Sequence, residues 1–125
     1  FAKSKNVVWI TVISSAEGKQ GYIQPNDALN TFASFGSFPD HILIDENGDL
    51  GKKFNAKTTP HIFIADKNKN IVYQGAIDDA GGSKFWTTDL NQSTNFVKKV
   101  VNDIKSNKPL SISKTRPYGC SVKYG

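Results

Sequence analysis

Pro60 is the residue that most restricts this chain. It stands between the polar run Lys57-Thr58-Thr59 and the apolar run His61-Ile62-Phe63-Ile64-Ala65. Proline has no amide proton to give to a ladder, so it cannot lie inside a central strand, but it can open one. The run after it therefore reads as a strand with a fixed starting point. Residues 66–70 supply a polar turn, and residues 71–76 a second β-branched and aromatic run. Two such runs separated by a few polar residues are the signature of a hairpin. A proline in a tight turn can also take a cis peptide bond, so Thr59-Pro60 is a candidate for one.

Upstream, residues 7–13 read Val-Val-Trp-Ile-Thr-Val-Ile. So continuous an apolar run predicts a strand buried on both faces, as central parallel strands are. Residues 14–21 form a polar loop. Pro25 suits the first turn of a helix, and Ala28, Leu29, Phe32, Ala33 and Phe35 recur at helical spacing before Gly36 stops it. A second strand is expected over residues 41–45. A turn at Glu46, Asn47 and Gly48 follows, then a short helical turn over 51–55 anchored by Phe54. Residues 77–92, with Gly81, Gly82 and Trp86, read as a long irregular stretch. A final helix is expected over 93–106. Ser93 or Thr94 would cap it, and Phe96, Val97, Val100, Val101 and Ile104 form its buried stripe. Lys105 and Lys108 lie where the helix dipole favours positive charge.

This order, strand-helix-strand followed by a hairpin and a helix, gives an α/β fold. Residues 1–108 form one domain, and residues 109–125 an extended basic tail. With 125 residues, 38% apolar and 22% charged, the chain is neither disordered nor membrane-spanning in composition. No apolar run approaches the roughly 20 residues of a membrane helix. Met is absent, the first residue is Phe1, and no signal peptide is displayed. The net charge of +5 is weighted to the end of the chain, where Lys105, Lys108, Lys114, Arg116 and Lys123 follow the last acidic residue, Asp103. These charges are spaced rather than blocked, which favours a solvated surface over a nucleic-acid arm.

Several further groups read as structural. Asp45, Asn47 and Asp49 alternate as in a calcium loop, but Leu50 and Ala56 occupy positions where such a loop needs Gly and Glu, so a turn is expected. His41 and His61, each at a strand start, read as structural or surface histidines, and Asp78 and Asp79 as a solvated loop. One cysteine and two histidines are too few for a dedicated transition-metal site, and no phosphate loop is present.

The Thr59-Pro60 context resembles the thioredoxin superfamily, in which such a pair, with its proline cis, precedes a core strand and faces the redox cysteine. Asp45-Glu46-Asn47-Gly48-Asp49, Phe54-Asn55-Ala56, Thr58 to Ile64 and Asp66 to Tyr73 are similar to its peroxiredoxin-like and thiol-disulfide oxidoreductase branches. The ending Thr115-Arg116-Pro117-Tyr118-Gly119-Cys120-Ser121-Val122-Lys123-Tyr124 resembles the tail of one such group, often bacterial. The resemblance implies a thioredoxin-like three-layer α/β sandwich, with the first strand and first helix lying upstream of these residues together with the nucleophilic cysteine. It implies a thiol-disulfide redox protein with no organic cofactor or metal. A thiol or disulfide protein would be its substrate or electron donor, and the periplasm or cell envelope its place.

Under that reading Pro60 and Thr59 shape the substrate site. The backbone of Thr59 would pair with a substrate peptide, and Cys120 is a candidate resolving thiol. Arg116 and Lys123 are near Cys120 in sequence, and positive neighbours favour a thiolate. A free thiol on a tail is the alternative for Cys120. Two further functions stand beside redox exchange: a redox-inactive peptide-binding module, and a peroxide-reducing antioxidant protein. If a strand from a second molecule completes the sheet, the chain forms a homodimer.

Overall fold

The computed structural model describes residues 1–34, 39–79 and 94–124. The chain is of the α/β class, mixing short helices with small sheets. Its residues group into two compact units, Phe1–Ala56 with Val122–Gly125, and Lys57–Ser121.

In the first unit, β1 (Ile10–Ile13) and β2 (His41–Ile44) pair in parallel, with Ile10 opposite His41 and Ile13 opposite Ile44. Between them, a short 3₁₀ turn at Pro25–Asp27 leads into α1 (Ala28–Ser34). Asp45 continues the β2 register by one residue, its amide donating to the Ile13 carbonyl at 2.8 Å. Then α2 (Asp49–Lys53) follows.

The first strand is shorter than expected and is not buried on both faces. Side chains alternate across a strand. Ile10 and Val12 therefore share one face with His41 and Leu43, and all four are exposed, as is Val8 just before the strand. Ile13 points the other way and is buried, with Ile42 and Ile44 half-buried on the same side. The continuous apolar run misled because β1 has a covered face on one side only.

Two further expectations in this unit change. In α1, Ala28 is buried, but Leu29, placed by periodicity on the apolar stripe, is 73% exposed. Phe54 is also exposed, and the packing at the α2 turn comes from the tail instead. The Tyr124 ring lies against Gly48 and Gly51, and its hydroxyl donates to the Ala56 carbonyl at 2.8 Å. Phe35, Gly36, Phe38, Gly81, Gly82, Trp86, Gln92 and the cap proposed at Ser93 lie outside the described residues.

The second unit is built on the hairpin of β4 (Ile62–Ala65) and β5 (Ile71–Gly75), antiparallel with a register shift between Ile64 and Ala65. The turn is closed by Asp66, whose carboxylate accepts from the amides of Asn68 and Asn70. Helix α3 (Phe96–Lys105) packs through Phe96, whose ring centroid lies 6.4 Å from that of Tyr73. Tyr73, Ala76, Val100 and Val101 are the buried centre. The helix is not capped by Thr94. Asn95 is its cap, its side-chain oxygen accepting from the Lys98 amide at 2.9 Å. Asn serves as well as Ser in this role, because a short side chain can reach back to an unpaired amide.

Two very short strands complete the unit. β3 (Thr58–Thr59) pairs antiparallel with β6 (Cys120–Ser121). Among the described residues no helix is long and apolar enough to cross a membrane.

Candidate functional site

The tail is placed by a hydrogen-bonded ring around Tyr73. That side chain is fully buried, and its hydroxyl donates to the Ala76 carbonyl at 2.5 Å. The phenol has one proton to give. The 2.6 Å contact with Thr115 is therefore a bond donated by the Thr115 hydroxyl. The Thr115 oxygen in turn accepts from the Ala76 amide at 2.9 Å. Each partner thus both donates and accepts, and the ring leaves no buried polar group unsatisfied. Burial raises the Tyr73 pKa, and the bond from Thr115 works against it.

Thr115 reaches this position because Gly75 has no side chain. A Cβ there would overlap the Thr115 hydroxyl and backbone, and Gly75 sits at φ +142°. The Thr115 amide donates to the Gln74 carbonyl at 3.0 Å, and the Gln74 amide donates to the Ser113 carbonyl at 3.1 Å.

From this clamp the chain runs through Tyr118, whose hydroxyl donates to Asp78, to Gly119 and β6. The β3–β6 register sets Cys120 opposite Thr59 and Ser121 opposite Thr58. Cys120 is exposed and carries a free thiol. The Thr59-Pro60 peptide bond is cis, and the Thr58 hydroxyl donates to the Pro60 carbonyl at 2.8 Å. Gly119 lies directly on this corner, at φ +132°, which a residue with a side chain rarely adopts. A Cβ there would overlap the Thr59 carbonyl oxygen and stand 3.3 Å from Pro60 Cδ. Thr59, Pro60 and Cys120 are therefore brought together at one corner.

His61 borders the same corner. Its Nδ1 accepts from the Lys57 amide at 3.2 Å, and its ring stacks on Phe63 with centroids 4.4 Å apart. Nε2 is buried without a hydrogen-bond partner. Burial, then the nearby Lys57 charge, lowers its pKa, so the neutral ring is favoured.

The other sequence candidates lie elsewhere. His41 is on the open face of β2. Asp79 accepts from the Thr94 amide at 2.8 Å, and Asp78 holds Tyr118, so this pair organises the approach to α3 and the tail. Asp45 is a helix cap. Its carboxylate accepts from the Ser14 hydroxyl at 2.7 Å and from the amides of Gly51 and Leu50 at 2.8 and 3.1 Å. Burial works to raise its pKa, but those donors outweigh it and hold the carboxyl below its ordinary value. An open cleft of about 300 Å³ beside it is lined by Pro25, Ile44, Asp45, Glu46, Asn47 and Asp49. No group of three or more metal-ligating side chains occurs among the described residues.

Tyr73, Thr115, Tyr118 and Gly119 carry the site and were not singled out as functional from the sequence. Local periodicity carries no signal for a pairing across some forty residues. Only the Thr-Arg-Pro-Tyr-Gly-Cys wording of the tail could have pointed to them.

Solved structures share this fold, among them the following two. A hypothetical protein of Sinorhizobium meliloti 1021 matches with a TM-score of 0.77 at 20% identity, over 99% of this chain and 65% of its own. An uncharacterized conserved protein of Geobacillus kaustophilus matches with a TM-score of 0.79 at 21% identity, over 99% of this chain and 63% of its own. The chain thus spans just under two thirds of the length of either. No family model matches it, and no curated protein matches it.

Proposed function

We propose that this chain carries the substrate-facing part of a thioredoxin-like thiol-disulfide redox domain, with Cys120 as the resolving thiol. One observation carries the reading: β6 sets the chain's sole cysteine opposite Thr59 and beside Pro60. The element order supports it, with a parallel strand-helix-strand unit followed by a hairpin that Pro60 precedes and a helix.

A dithiol cycle needs two sulfurs, so the nucleophile belongs to a cysteine outside these 125 residues. Its thiolate attacks a substrate disulfide, forming a mixed disulfide and releasing one substrate thiolate. Cys120, as the thiolate, attacks the nucleophile's sulfur and expels the second substrate thiolate, closing a disulfide within the domain. The substrate gains two electrons, and a dithiol partner protein returns them. An exposed position suits this role, because exchange requires access to the sulfur.

The test is to count thiols in the natural full-length polypeptide, then follow reduction of a disulfide-bonded model protein with Cys120→Ser as the variant. A second thiol, and a mixed disulfide that accumulates in the variant, support the reading. A polypeptide whose only thiol is Cys120, or a variant that turns over at the unaltered rate, overturns it.

A further inference from the structure

We propose that the corner holding Cys120 is a cationic docking surface for an acidic dithiol protein, the electron donor of the exchange cycle. This surface rests on the exchange reading and adds the chemistry of the partner.

Charge is divided unevenly between the two units. Phe1–Ala56 with Val122–Gly125 carries six lysines and six carboxylates and is formally neutral. Lys57–Ser121 carries nine lysines and Arg116 against five aspartates, so the whole +5 falls on the unit that holds Cys120.

The fold then gathers cations that the sequence spaces out. Residues 57–65 and 110–121 build the corner, and neither segment contains an acidic residue. Lys57 directly precedes β3, at one end of the ladder that sets Cys120 opposite Thr59. Lys114 and Arg116 precede Cys120 on the other segment, beyond the opposite end of that ladder. All three residues are exposed. Their backbone is held in place: Lys114 bridges Gln74, Thr115 bonds to Tyr73, and the Lys57 amide donates to His61. Asp78 meets the second segment through the Tyr118 hydroxyl, which it accepts.

Charges fixed around an exposed sulfur steer a partner of opposite sign and raise its encounter rate. Redox encounters bury little surface and are brief, so the encounter rate is where such charges count. The surface surrounds a thiol, so its partner is a protein dithiol. The donor's thiolate attacks the Cys120 sulfur of the domain disulfide and releases the nucleophile as a thiolate. The donor's second thiolate then attacks the donor sulfur bonded to Cys120. That closes the donor disulfide and releases Cys120 as a thiolate, so two electrons enter the domain.

The experiment uses the natural full-length polypeptide with its domain disulfide formed. Three synthetic dithiol peptides reduce it, differing only in flanking residues that are all glutamate, all serine or all lysine. Second-order rates are measured at about 0.01 M and about 1 M salt, where the screening lengths are about 30 Å and about 3 Å. At low salt the glutamate peptide should react roughly tenfold faster than the serine peptide, and the lysine peptide slower, with all three converging at high salt. Lys57→Gln, Lys114→Gln and Arg116→Gln combined should erase the ranking. Lys3→Gln, Lys19→Gln and Lys53→Gln combined make an equal change of charge on exposed residues of the other unit and should keep it. Equal rates for the three peptides overturn the proposal. So does an equal loss in both combined variants, which would assign the effect to net charge alone. Binding of the same peptides, with serine in place of their cysteines, is the second readout. Glutamate-peptide binding lost only in the corner variant, in a polypeptide with no second thiol, overturns the exchange reading alone and leaves a docking surface for an acidic protein. Tighter corner-dependent binding of an oligonucleotide or of anionic vesicles assigns the surface to another class of partner and overturns the proposal.

Discussion

Replacing Thr115 by valine keeps the shape of the side chain and removes one oxygen from the ring around Tyr73. The bond donated by Thr115 to the Tyr73 oxygen is lost, and so is the bond accepted from the Ala76 amide. The Tyr73 phenol keeps its carbonyl partner, but the amide of Ala76, a residue only 5% exposed, is left without an acceptor. Two neutral hydrogen bonds are worth about 1 kcal/mol each, and stranding a buried donor costs about 1–3 kcal/mol, part of which overlaps them. The expected loss is about 2–4 kcal/mol. Thr115→Ser keeps the oxygen and should cost about 1 kcal/mol or less, the value of part of a methyl group. Urea titration of the three proteins, with hydrogen exchange at the Ala76 amide, reads both effects. Tyr73→Phe in the Thr115→Val background should cost less than in the unaltered protein, because only the bond to the Ala76 carbonyl is then left to lose. A Thr115→Val protein within about 0.5 kcal/mol of the unaltered one, at an unchanged urea slope, would refute the closed-ring argument.

Three further outcomes are expected. Asp45→Asn leaves a single acceptor oxygen for three donors and should cost about 1–2 kcal/mol at neutral pH. Because the folded-state pKa of Asp45 lies below its unfolded value, its contribution is present above about pH 4 and lost as pH falls toward the folded pKa. The urea midpoint of the variant should therefore fall less steeply on acidification, and parallel acid limbs would count against the assignment. Asn95→Ala removes the α3 cap and should lower stability by about 1 kcal/mol in urea titration, where no change would mean that the cap carries nothing. His61 has a folded pKa below its unfolded value of about 6.5, so stability is kept above that pH and declines below it as the unfolded state takes up the proton. A His61→Phe protein should lack this step, and its persistence would place the step on another group.

The hairpin and α3 were legible because each obeys a local period: β-branched runs across a polar turn, and Phe96, Val97, Val100, Val101 and Ile104 along one helix face. β1 was legible as a strand but not as a half-covered one. Val8, Ile10 and Val12 are as apolar as Ile13, and only the partner register shows which side is open. Asp45 drew attention through its spacing with Asn47 and Asp49, yet its partners are the Gly51 and Leu50 amides, which no side-chain pattern displays. At the site, Thr59, Pro60 and Cys120 were each legible alone. Their meeting was not, because two-residue strands sixty positions apart leave no periodicity. The meeting depends on Gly119 and Gly75, whose lack of a side chain is a statement about space.

The open face of β1 and β2 sets the terms on which this polypeptide lives in water. Ile10, Val12 and Leu43 form an adhesive strip on two paired strands, with His41 beside them. A net charge of +5, weighted to the end of the chain, repels other copies at low ionic strength but is screened beyond about 10 Å in ordinary salt. With that repulsion screened, the apolar strip governs close encounters, so added salt favours association. Handling at low ionic strength keeps such a surface dispersed.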